Sequence, residues 1–144
     1  MRRRLAVALL VLVLPTGLLA GCGSDPVDVE GNWMLVGARL PAGHWDPDDP
    51  DEARYFLQIA DGKALGFAGC DEYEATVEQD GDDLDFADFT KTTRKNCDAD
   101  VVPDPLDGNL PGAIQAITSV EMDGDLLVMR GDDTTLSFRE RVAS

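Results

Sequence analysis

From Val29 onward the chain alternates apolar and polar positions in short runs, with Asp-Gly pairs recurring between them. A period of two belongs to half-buried β-strands, and Asp-Gly between two such runs is a hairpin signal. Strands are expected over residues 32–38, 54–59 and 63–67, the last two joined by Asp61-Gly62. A second hairpin runs from 73–78 through Asp80-Gly81 into 84–86, with Leu84 and Phe86 on one face. Near the C-terminus 120–122, 126–129 and 134–138 form a meander punctuated by Asp123-Gly124 and Gly131-Asp132. Leu110, Ala113, Ile114 and Ile117 recur instead at helical spacing, and Pro111 suits a first helical turn. The pattern therefore predicts a mainly β fold: a curved antiparallel sheet or β-barrel-like closure, with one short α-helix near residues 110–118. Trp33, Phe56, Phe67, Tyr73, Phe86 and Phe138 are the candidate core. Residues 41–51 and 98–107 follow neither period and read as loops, of a length that carries function more often than simple connection does.

The first 21 residues are of another kind. Arg2, Arg3 and Arg4 precede an apolar run over 5–14, and Leu19-Ala20-Gly21-Cys22 follows. This is the form of a secretory signal ending in a lipobox, cut ahead of a cysteine that receives lipid. A retained transmembrane helix needs about 20 apolar residues; this run is shorter, and Pro15 and Gly17 weaken its far end. Residues 1–21 are thus expected to be a cleaved signal, 22–28 a lipidated Cys22 with its tether, and 29–140 the folded domain. A diacylglyceryl group on Cys22 supplies two chains, and two chains hold stably where one does not. The expected location is the cell membrane, on its extracytoplasmic side, with the domain within about 20 Å of the bilayer because the tether is short.

Charge narrows the partners. Three of the 12 basic residues and none of the 28 acidic ones lie in 1–21, so the remainder carries a net charge of −19. Such a body does not bind nucleic acid by phosphate neutralisation, and anionic headgroups repel it. The lipid, not the protein surface, must hold the membrane. With Cys22 lipidated, Cys70 and Cys97 are left as a pair in a disulfide-permissive compartment. A bridge between them closes a loop of about 27 residues and stabilises the fold by about 3.5 kcal/mol in the chain-entropy account. A zinc site is the alternative, but two cysteines without a CxxC pair and a single distant His44 make a poor ligand set.

No catalytic set assembles in the sequence. His44 stands beside Trp45 with no serine or free cysteine nearby, and Ser24, Ser119 and Ser137 sit in no elbow motif. The chain is read as non-enzymatic, with no cofactor. Asp46–Glu52 and Asp80-Gly81-Asp82-Asp83 offer oxygen ligands for weak calcium binding, though neither has EF-hand order and acidic turns serve solubility equally well. Trp45 is an aromatic that the strand pattern does not bury, so His44 and Trp45 mark a candidate interaction loop for a protein partner in the cell envelope. A small-ligand carrier using the mouth of a barrel is the alternative.

These residues also carry a resemblance. Gly31-Asn32-Trp33-Met34-Leu35 resembles the opening strand of the META domain family of HslJ-like bacterial lipoproteins. Gly69-Cys70-Asp71-Glu72-Tyr73 is similar to its Gly-Cys-Asn-x-Tyr signature, with Asp71 in place of the asparagine. Thr93-Arg94-Lys95-Asn96-Cys97 resembles its Thr-Arg-Met-Ala-Cys segment, with Lys95-Asn96 departing from it. The helix at 110–117 and the closing Leu136-Ser137-Phe138 keep the family's order. The resemblance implies a β-barrel-like fold with a short helix, comparable in topology to the lipocalins. It implies an envelope role linked to stress, and no catalytic residues.

Overall fold

The computed structural model describes residues 25–46, 55–93, 106 and 108–141. Along the chain come β1 (Gly31–Leu40), β2 (Gly43–Trp45), β3 (Tyr55–Ala60), β4 (Lys63–Ala68), β5 (Asp71–Asp80) and β6 (Asp83–Thr93). Then follow α1 (Leu110–Gln115), β7 (Ser119–Asp123), β8 (Leu126–Arg130) and β9 (Thr135–Glu140). Strands β3 to β9 pair antiparallel in sequence order, and β1 pairs with β3 on one side and β9 on the other. That last pairing closes an eight-stranded antiparallel barrel. Closure shortens the edges through which such sheets pair with other chains, although β6 meets β7 at the single register pair Asp83↔Ser119 among the described residues.

Local chemistry sets the turns. Asp61 and Gly62 both have positive φ (52° and 70°), the requirement of a type I′ hairpin. The other tight turns differ by one residue from the expected positions. Ladder pairs Asp80↔Asp83 and Asp123↔Leu126 leave Gly81-Asp82 and Gly124-Asp125 as the two-residue loops, with glycine first and at positive φ. Glycine leads because the first position of that turn class needs a left-handed backbone.

The expected loop at 41–51 needs correction at its start. Gly43–Trp45 form β2, paired with the C-terminal half of β1 through Ala38↔Trp45 and Leu40↔Gly43. Pro41-Ala42 is the turn; a three-residue strand is too short to reveal a period. Residues 47–51, and 98–105 and 107 of the second expected loop, lie outside the described residues.

Inside the barrel the wall is apolar throughout. Trp33, Leu57, Ile59, Tyr73, Leu84, Phe86, Leu127, Met129, Leu136 and Phe138 are all buried. Trp33 Nε1 donates to the Val29 carbonyl at 2.8 Å, so its one polar atom is satisfied. The helix buries Leu110, Pro111, Ala113 and Ile114, with its proline in the first turn as expected. It packs beside β6, next to the thinnest seam of the wall. There β6 and β7 share the register pair Asp83↔Ser119, flanked by Leu84 N–H donating to Thr118 O and Val120 N–H to Asp82 O.

Phe56 and Phe67 correct the expected core. They are half-buried and outward, directly opposite each other across β3 and β4, with ring centroids 6.2 Å apart. Their neighbours Tyr55, Leu57, Gly66 and Ala68 take the inward positions. Strand period two forces this: Leu57 and Phe56 cannot both face in.

Candidate functional site

A bulge interrupts the β5–β6 ladder beneath a groove on the outer wall. Glu74 pairs with Thr90 and Thr76 with Ala87, so Asp88 and Phe89 stand opposite Ala75 alone. Asp88 takes φ 51°, the left-handed conformation that glycine usually supplies at such a bulge. The kink re-aims both side chains. Phe89 turns toward the core and stacks on Tyr73, with centroids 5.4 Å apart at 16°. Asp88 stays exposed and accepts from Thr76 Oγ1 at 3.4 Å, a long contact.

Outside this bulge a groove of about 490 Å³ opens across β3–β6. Gln58, Lys63, Glu74, Thr76, Asp88 and Thr90 give it polar walls, over Ala60 and Leu65. The ladder puts Gln58, Leu65, Glu74 and Thr90 in one row across four strands. The row beside it holds Phe56, Phe67, Glu72 and Thr92. Periodicity shows which residues face out, but no sequence signal marks the bulge beside which the groove lies.

The expected interaction loop lies on another part of the wall. His44, on β2, is exposed, and its Nε2 donates to Asp46 Oδ2 at 2.7 Å. Trp45 turns inward instead. Its ring meets Tyr55 edge-on at 5.0 Å and packs against the core, so His44 is the exposed half of the pair. A groove of about 300 Å³ joins His44 and Asp46 to Arg39, Arg130 and Ser137, over a register shift between Leu35 and Gly37. Arg130 is held by Glu121 through Nε at 2.9 Å. Ser137 shares this groove, but no hydrogen bond joins it to His44.

Cys70 occupies the Gly69-Cys70 turn between β4 and β5, half-buried and engaged rather than free. Beside it Lys91 Nζ donates to Asp71 Oδ2 at 2.8 Å. Cys22 and Cys97 lie outside the described residues. Of the acidic stretch Asp46–Glu52, a candidate for calcium, only Asp46 is among the described residues, and its Oδ2 accepts from His44. Among the described residues no group of three or more His, Cys, Asp or Glu side chains is placed to hold a metal ion. Around the other acidic turn, Glu78 faces Asp85 and Asp80 faces Asp83 across the β5–β6 ladder, lining a groove of about 420 Å³. Like charges so placed repel.

Burial pushes the Tyr73 hydroxyl pKa upward from its ordinary value of 10.0. Desolvation disfavours the phenolate, as expected for a ring inside the barrel.

Comparison with known proteins agrees with this architecture. A family model described as the META domain matches residues 27–143. The NMR structure of a protein from Burkholderia xenovorans is similar with a TM-score of 0.61 at 20% identity, covering 92% of this chain and 100% of that one. The crystal structure of a DUF4847 family protein from Bacteroides vulgatus is similar with a TM-score of 0.55 at 16% identity, covering 80% of this chain and 95% of that one. At these identities the likeness shows the fold. No curated protein matches the chain.

Proposed function

We propose that the chain, which belongs to the META domain family, is a lipid-anchored, extracytoplasmic member acting as a non-enzymatic binding module of the cell envelope. The observation that carries this reading is the N-terminal run. A basic cluster, an apolar stretch and Leu19-Ala20-Gly21-Cys22 stand directly ahead of the matched domain, which begins at residue 27. Binding rather than catalysis is supported by the distribution of polar groups. The interior is filled by Trp33, Tyr73, Leu127, Met129 and Phe138, while His44 and the charged grooves lie on the outer wall. The same filling gives no support to carriage of a ligand in the barrel mouth.

The Cys70–Cys97 bridge belongs to this proposal. It would tie the β4–β5 turn to the chain beyond β6 and is consistent with an oxidising compartment. Mass spectrometry of native material tests the anchor: the expected N-terminus is a diacylglyceryl Cys22, and an intact Met1 would overturn it. Thiol titration under denaturing, non-reducing conditions tests the bridge. No reactive thiol is expected, and two would exclude it.

A further inference from the structure

We propose that the groove outside β3–β6 binds a glycan carrying N-acetyl groups. This deepens the reading of the domain as an envelope binding module and rests on it. The argument starts from Asp88. A glycine would hold φ 51° without strain, and turning Phe89 onto Tyr73 requires only the backbone kink. The left-handed backbone does not itself call for a carboxylate, yet one stands at the groove wall, accepting the long contact from Thr76. Aspartate is one of the few residues other than glycine that take this conformation readily, as Asp61 also does, so the bulge can keep a carboxylate at the groove wall.

The remaining walls define the ligand chemistry. Gln58, Thr76 and Thr90 are neutral and both donate and accept; Lys63 only donates; Glu74 and Asp88 accept. A polyanion would meet two carboxylates, and a polycation would leave Lys63 opposed. A neutral, hydroxyl-rich chain satisfies all six. An acetamido group adds a better match: its N–H suits a carboxylate, its carbonyl suits Lys63, and its methyl suits the Ala60–Leu65 floor. The volume of about 490 Å³ falls in the range of small-molecule sites and has room for a short oligosaccharide. Phe56, one ladder row away and half-exposed, extends the surface with an aromatic ring on which a sugar face can pack.

The test is an NMR titration of the full lipidated chain in detergent micelles with the trisaccharide of N-acetylglucosamine. Maltotriose, a trilysine peptide and inorganic phosphate form the other arms. Saturable shifts are expected at Gln58, Leu65, Glu74, Thr76 and Thr90 with the N-acetylated sugar, and weaker ones with maltotriose. Glu74→Ala should weaken binding at least about tenfold, the scale of a lost hydrogen bond to a charged group. Asp88→Gly should leave Tm little changed while weakening binding. No saturation by the N-acetylated sugar overturns the proposal, as does equal binding of maltotriose or preference for peptide or phosphate. An Asp88→Gly variant that binds normally overturns it too. Absent binding by a chain shown to be lipidated counts against the groove alone, whereas an unprocessed N-terminus with intact binding counts against the anchor alone.

Discussion

The inner and outer faces of β3–β6 are made from the same strands but follow different rules. Inside, Tyr55, Leu57, Ile59, Ala64, Ala68, Tyr73 and Ala75 close on one another with hardly any exposed surface. Outside, Gln58, Lys63, Glu74 and the left-handed Asp88 stand around an open groove, and nearer the β5–β6 turn the like-charge pairs Glu78↔Asp85 and Asp80↔Asp83 are tolerated. The inner face determines whether the barrel forms. The outer face is free to carry chemistry that does nothing for stability, or that opposes it. Substitutions one residue apart should therefore differ sharply.

Leu57→Ala gives the largest expected effect. Leu57 is fully buried, and its truncation should cost about 3 kcal/mol in urea denaturation. Gln58→Ala, the next residue and outward, should stay within about 0.5 kcal/mol of the parent. Equal losses at the two positions would erase the distinction between the faces.

Gly66→Ala should follow at about 2 kcal/mol, the usual scale of overpacking. A Cβ there would fall 2.0 Å from the Tyr73 ring, so the ring or the β4 backbone must move. Combining it with Tyr73→Leu should cost less than the two single changes added together, because the smaller side chain vacates the space. Strict additivity would show that the ring does not seat on Gly66.

Tyr73 also makes the interior sensitive to alkali. Its folded-state pKa is raised by burial above its ordinary value of 10.0. The unfolded chain therefore releases this proton first as pH rises. The stabilisation is complete below about pH 10 and is lost progressively above it. Tm measured from about pH 8 to about pH 11 should fall less steeply at its alkaline end in Tyr73→Phe. Parallel curves would place the ring in a wetter setting than the barrel interior.

This contrast also explains what the sequence could reveal. Alternation reports burial, so Leu84 and Phe86 were legible as one inward face, and the helix showed itself through Leu110, Ala113, Ile114 and Ile117. Asp61-Gly62 was legible because both residues take the backbone that its turn demands. Phe56 and Phe67 misled because size alone does not choose a face; register with Leu57 does. Strand β2 was hidden by its length, and Trp45 by its position within it. The grooves left no signal at all. Two of those described lie over a ladder slip, between Leu35 and Gly37 and between Glu74 and Thr76, and a slip is a relation between strands that the pattern of one strand does not record. For the same reason the chemistry of Asp88 could not be separated from the many other carboxylates.

The smallest effect probes the outer face for charge. Glu78 and Asp85 are directly opposed on exposed positions, and Asp80 and Asp83 form the next such pair toward the turn. Glu78→Lys replaces a repulsion by an attraction and should stabilise the fold by about 0.5 kcal/mol at low salt. The gain should shrink as added salt screens the pair, since both groups face water. A gain that survives high salt would indicate packing by the lysine stem rather than charge. No gain at any salt would mean that these carboxylates already splay apart. In that case the outer wall would accommodate its charge by side-chain freedom, which the packed interior cannot do for Gly66 and Tyr73.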